Sequence, residues 1–241
     1  MIVGYALAFV VVLAFSIYPS IAPLGLQEGA SPFGFVVLAM LVSTLGVVLL
    51  THYRGEGVIP DRREVFSFAL LSFLFLMEHL CLLFALQSLK VPVAMSLIYT
   101  YPFIIALVSV RAGTYPMSGN LFIALSVCLA GVVLVLGFSP EQISIAGISF
   151  ALLQAILAAA RILLTSRIIT NTSGTLLTAR MLVGALLLAL PFCAFFSFAT
   201  PQSSLGWGAV GVAGLSGVIG HTCLALSLER IEAVPFGVVM N

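Results

Sequence analysis

The chain has 241 residues, of which 62% are hydrophobic and only 7% charged, and its formal net charge is +1. Soluble domains carry roughly 25% charged residues, so this composition excludes one. No basic cluster exists outside the short loops, which leaves no footing for a nucleic-acid partner. The reading that remains is an all-α polytopic membrane protein.

A span takes about 20 apolar residues. Nine stretches can be bracketed: residues 3–22, 31–50, 65–86, 91–110, 119–138, 143–165, 175–198, 205–228, and a stub from 233. Strands of a membrane barrel would alternate over about ten residues, and runs such as residues 36–50 do not. With the N-terminus inside, the cytoplasmic segments hold Arg54, Arg62, Arg63, Arg111, Arg167, Arg180 and Arg230, against only Lys90 in the outer ones. That asymmetry sets the orientation with the N-terminus in the cytoplasm.

The first span lacks the basic n-region of a signal peptide and is too long to be one. Pro19 and Pro23 close it, and Pro19 frees the carbonyl of Phe15, so its outer end either bends or stops there. The loop at residues 51–64 holds six of the 17 acidic and basic residues; its expected role is topological. The four cysteines, Cys81, Cys128, Cys193 and Cys223, all fall in apolar stretches and show neither a disulfide framework nor metal spacing.

Laid over each other, the two halves of the chain match. Met40, Leu41 and Val42 fall on Met181, Leu182 and Val183 at an offset of 141, and Leu45 falls on Leu186. His79, Cys81, Leu82 and Leu86 fall on His221, Cys223, Leu224 and Leu228 at 142, and Gly4 and Ala8 fall on Gly147 and Ala151 at 143. Three matches in series at a nearly constant offset indicate a duplicated unit of five spans, residues 1–140 and 141–241. Five is odd, so the second copy enters the membrane from the opposite side. The result is an inverted repeat, in which two halves rock around a site near the bilayer midplane.

The residues also resemble a known family. Ala85-Leu86-Gln87-Ser88-Leu89-Lys90-Val91-Pro92-Val93-Ala94, leading to Tyr101-Pro102-Phe103, is similar to the end of span three and the kinked span four of EamA-type proteins in the drug/metabolite transporter superfamily. The stretch from Leu129 through Gly131 to Gly137 is similar to that family's fifth span. The resemblance implies a ten-span carrier, usually an exporter of metabolites or drugs in a bacterial inner membrane. It names no substrate. The family's tryptophan-glycine is missing from the first span, so no site is carried over there. The chain stops at Asn241 inside the ninth span. Equal copies would need roughly 40 further residues, including a second kinking proline, so a fragment is expected.

Several polar residues stand out inside the spans. Glu78 in span three is the sharpest, because a charge there costs about 2.5 to 3.5 kcal/mol on insertion and usually faces a cavity or a partner. It is a candidate for proton exchange, against the alternative of a carboxyl satisfied by a neighbouring helix. His79 points about 100° away around the helix and either packs through a hydrogen bond or, with its repeat mate His221, lines a cavity. Arg161 in span six lies near the cytoplasmic end. Its depth differs from that of Glu78 by about 12 Å, so snorkelling to the inner surface, or an anion site at the cytoplasmic mouth, is expected in place of a salt bridge. Pro102 frees the carbonyl of Ile98 beside Tyr99 and Tyr101, placing a gating kink and two phenol hydroxyls together, with interfacial anchoring as the alternative. Gln154 is a further polar candidate in mid-span. In span eight, Gly208, Gly211, Gly214, Gly217 and Gly220 recur in steps of three, a ridge for close helix crossing. Gly220 falls on Glu78, so the acid belongs to one copy only.

The reading is a secondary carrier working by alternating access, with a small molecule and the lipid bilayer as partners and a homodimer left open. No cofactor and no metal are called for. An intramembrane enzyme would need more than Glu78-His79, which lacks the HExxH spacing. A structural or assembly subunit would explain the glycines but not the buried acid.

Overall fold

The computed structural model describes residues 2–60, 62, 64–116, 118–137, 144–170 and 172–239, and all regular structure among them is helical. The helices are α1 (Ile2–Gln27), α2 (Pro32–Tyr53), α3 (Val65–Ser88), α4 (Val91–Ile98), α5 (Tyr101–Arg111), α6 (Gly119–Gly137), α7 (Ile145–Ile168), α8 (Gly174–Phe192), α9 (Ser204–Leu228) and α10 (Ala233–Val239). Among the described residues, seven helices are long and apolar enough to cross a membrane, with α4 and α5 together making one of them. The chain is a multi-pass, all-α membrane protein. The boundary expected at residues 140 and 141, and the end of the chain at Asn241, lie outside the described residues.

Short polar residues start the helices where the apolar runs alone would leave the ends vague. Ser31, Ser144, Ser173 and Ser203 each cap an N-terminus, their hydroxyls accepting from the amides of Gly34, Gly147, Leu176 and Gly206; each satisfies an amide that has no carbonyl in the preceding turn. Prolines fill the first turns of α2, α4 and α5, where a missing N–H is harmless. Pro19 and Pro23 sit inside α1, which runs on through both to Gln27.

The helix contacts have a definite pattern. The most extensive are α1 on α9 and α3 on α7, followed by α2 on α9 and α3 on α8. When the helices matched by sequence are exchanged (α1 with α7, α2 with α8, α3 with α9), each of these contacts becomes the other of its pair. The details exchange as well. Gly4 abuts Arg230 and Ile231, while its mate Gly147 abuts Ser88 and Leu89, the residues 142 positions earlier. Ser43 on α2 packs against Gly214 on α9, to whose carbonyl it donates at 2.8 Å, and Ser72 on α3 fills the space above Gly184 on α8. The serine and the glycine have changed places.

Each end of the bundle is tied across the two halves. At one end the loop between α2 and α3 lies on the start of α8: Glu56 accepts from the hydroxyls of Ser173 at 2.8 Å and Thr175 at 3.1 Å. Arg180 donates to Glu64 at 2.9 Å and to the carbonyls of Val58 and Ile59. The Glu229 carboxylate accepts from the amide of Gly174, so two carboxylates sit at the positive end of α8. At the other end the Ser31 hydroxyl donates to the carbonyl of Ser197 at 2.7 Å, and the backbone amide of Gln202 donates to the backbone carbonyl of Glu28 at 2.8 Å. The loop at residues 51–64 therefore also joins one half to the other.

The glycine ridge on α9 is shorter than the sequence indicates. A Cβ at Gly214 would lie 2.4 Å from Val42 Cβ, one at Gly217 would meet Ser43, and one at Gly220 would meet the Phe15 ring. Gly208 and Gly211 have nothing within 4 Å of such an atom, and α9 does not pack closely there. Replacing Gly214 by leucine should therefore overpack the α2 contact and cost about 1–3 kcal/mol, whereas Gly208→Leu should change stability by no more than about 0.5 kcal/mol. Thermal unfolding of the two variants in detergent checks this; equal losses would mean that the ridge packs along its whole length.

Candidate functional site

Helices α1 and α3 with the α4–α5 junction on one side, and α7 and α9 on the other, leave a cavity of ≈ 80 Å³ in the bundle. From α1 come Phe15, Tyr18 and Pro19, from α3 Glu78, His79 and Leu82, and from the α4–α5 junction Met95, Ile98, Tyr99 and Tyr101. The opposite wall is Gln154, Ala158, Arg161 and Ile162 of α7 with Ser216, Gly217, His221 and Leu224 of α9. Glu78, His79, Tyr99, Tyr101, Gln154, Arg161 and His221 thus all line one space. Sequence mates face it together: Tyr18 with Arg161, Pro19 with Ile162, His79 with His221, and Leu82 with Leu224.

Glu78 and Arg161 form a buried ion pair, and this corrects the expectation from depth. Arg161 Nε donates to one carboxylate oxygen at 2.5 Å and Nη2 to the other at 3.1 Å, and the residues are only 2% and 6% exposed. Arg161 neither snorkels to the inner surface nor marks an anion site at a mouth. The reason is geometric. The end of α3 meets the start of α7, with Ser88 against Gly147, so the helices run antiparallel. Glu78 lies about 15 Å along α3 from that meeting point and Arg161 about 21 Å along α7, which leaves an axial gap of about 6 Å. Both side chains lean toward the N-terminus of their own helix. In an antiparallel pair these leans converge, and the length of the arginine closes the gap.

Phe75, which the sequence does not single out, is the centre of the aromatic wall. Its ring centroid is 4.2 Å from that of His79, 4.8 Å from that of His221 and 5.9 Å from Arg161 Cζ. His79 Nδ1 lies 3.0 Å from the carbonyl of Phe75, and Tyr18 meets the His79 ring edge-on at 5.5 Å. The two histidine rings are 5.5 Å apart. His79 therefore both packs through a hydrogen bond and faces the cavity. Tyr18 is a further lining residue that the sequence reading passed over; the signal was its position, 143 residues before Arg161 and directly before Pro19.

Gly220 falls on Glu78 in the repeat, and the Phe15 ring occupies the space its missing side chain leaves. One half thus contributes an acid where the other makes room for an aromatic ring. On the α4–α5 side the helix is broken, not merely kinked. Tyr99 and Thr100 separate the two segments, Thr100 Oγ1 donates back to the carbonyl of Leu97 at 2.7 Å, and Pro102 sits in the first turn of α5. Tyr101 is buried and lines the cavity, and its hydroxyl has no protein partner; Tyr18 OH, Gln154 Oε1 and His221 Nδ1, on three other lining residues, have none either. Among the described residues no group of three or more His, Cys, Asp or Glu could hold a metal ion.

A crystal structure of another protein superposes on this chain with a TM-score of 0.78 at 17% identity, covering 98% of this chain and 82% of that one. At that identity the likeness is one of fold. No curated protein matches the sequence. The model of the EamA-like transporter family matches residues 2–137, more than half of the chain and the whole of the half that supplies Glu78, His79 and the α4–α5 junction, and the chain belongs to that family.

Proposed function

We propose that the protein is a secondary transporter, exporting small metabolites or drugs across a bacterial inner membrane by alternating access, with its N-terminus in the cytoplasm. The observation that carries this reading is the cavity between two halves that match in sequence, bridged by an ion pair with one member from each. Two inverted units that swap conformations turn an opening on one side into an opening on the other. The exchanged contacts, Ser43 on Gly214 against Ser72 on Gly184, support two such units. The α4–α5 break supplies a segment whose backbone is already released from regular helix.

Within that cycle Glu78 is the proton-exchanging group. Opening the seam pulls α3 from α7 and separates the carboxylate from Arg161. A proton from water is the smallest group able to take the place of the guanidinium. Re-forming the pair returns that proton, to whichever side the cavity then faces. Substrate movement and proton movement are linked because one seam governs both.

In proteoliposomes loaded with a bacterial metabolite extract, the protein should deplete at least one small molecule relative to empty vesicles, as followed by mass spectrometry; identical contents would overturn the carrier reading. Glu78→Gln should leave flux of that molecule down its own gradient but remove its response to an imposed pH gradient. A retained response means that protons travel elsewhere. Arg161→Ala, which strands the carboxylate, should cost about 3–5 kcal/mol, and the double replacement Glu78→Gln with Arg161→Gln should recover most of it. Melting curves of the purified variants measure both.

A further inference from the structure

We propose that the cavity selects uncharged, flat aromatic molecules that both donate and accept hydrogen bonds, and discriminates against charged analogues of the same size; this rests on reading the cavity as the substrate site. Among the described residues of its wall, the two formal charges, Glu78 and Arg161, already hold each other in a two-point contact, with the arginine and glutamate side chains 2% and 8% exposed. An anion would have to share Arg161 with Glu78, setting two negative charges against one guanidinium in apolar surroundings, and a cation would set a second positive charge beside Arg161. A zwitterion brings both kinds of like charge at once. An uncharged ligand leaves the pair intact.

The rest of the wall is suited to such a ligand. Phe15, Tyr18, Tyr99 and Tyr101 offer ring faces and edges for a flat body. Four of the lining residues also carry polar atoms without a protein partner, Tyr18 OH, Tyr101 OH, Gln154 Oε1 and His221 Nδ1, and all four residues are more than nine-tenths buried. The phenol hydroxyls both donate and accept and the amide oxygen accepts, so the complementary ligand carries both functions. A few placed polar groups in an apolar wall fix orientation.

Four probes on one ring test this: benzamide, benzoate, benzylammonium and phenylalanine, each titrated calorimetrically into the purified full chain. Benzamide should bind about tenfold or more tightly than the other three. Gln154→Leu and Tyr101→Phe should each weaken benzamide severalfold while the melting temperature without ligand stays within a few degrees. A charged probe binding as tightly as benzamide overturns the proposal, and so does no benzamide binding or affinity unmoved in both variants. Flux of the same probes in proteoliposomes separates this from the carrier reading. Transport of a charged probe in preference to benzamide refutes the selectivity and upholds the carrier, whereas benzamide binding without flux upholds the selectivity and counts against the carrier.

Discussion

Burying a carboxylate and a guanidinium in an apolar bundle costs several kcal/mol for each ion unless they meet, and Glu78 and Arg161 meet. Their contact fixes the register of α3 against α7, because a shift of one turn along either helix would carry the charges apart. It also dictates what surrounds it. Phe75 lies along the guanidinium, His79 and His221 pack on Phe75, and Tyr18 packs on His79. A ligand in this cavity has to work around that chain of contacts or undo it.

The architecture was readable from composition and period because a bilayer leaves the backbone few options. With no water to satisfy the amides, a chain that is 62% hydrophobic must form helices, and serines and prolines mark where they start. The sequence matches between the halves have a counterpart in the packing. Close contacts need small residues, so Gly4 and Gly147 persist at matching places, and each meets the matching residue pair of the opposite half.

The ion pair was misread for an instructive reason. Sequence gives the depth of a Cα along its helix, but a salt bridge is made at the ends of side chains. Side chains on antiparallel neighbours lean in opposite directions, and with Glu78 and Arg161 in this order the leans converge, so an axial difference that looks prohibitive closes. The glycine ridge erred in the other direction: spacing alone put five glycines on one track, while only Gly214, Gly217 and Gly220 have a neighbour close enough to require them. Phe75 carries no signal in sequence at all, since one phenylalanine among many in a span differs only in what the fold places beside it.

Two prolines have a consequence for how such a site is mapped. Pro19 and Pro102 offer no amide to the carbonyls of Phe15 and Ile98, and both of those residues line the cavity. These oxygens belong to the main chain, so they remain whatever side chain stands at either position. An alanine scan of the wall is blind to them. Relatives whose lining residues differ throughout could still share these two acceptors, provided only that the prolines stay four residues on.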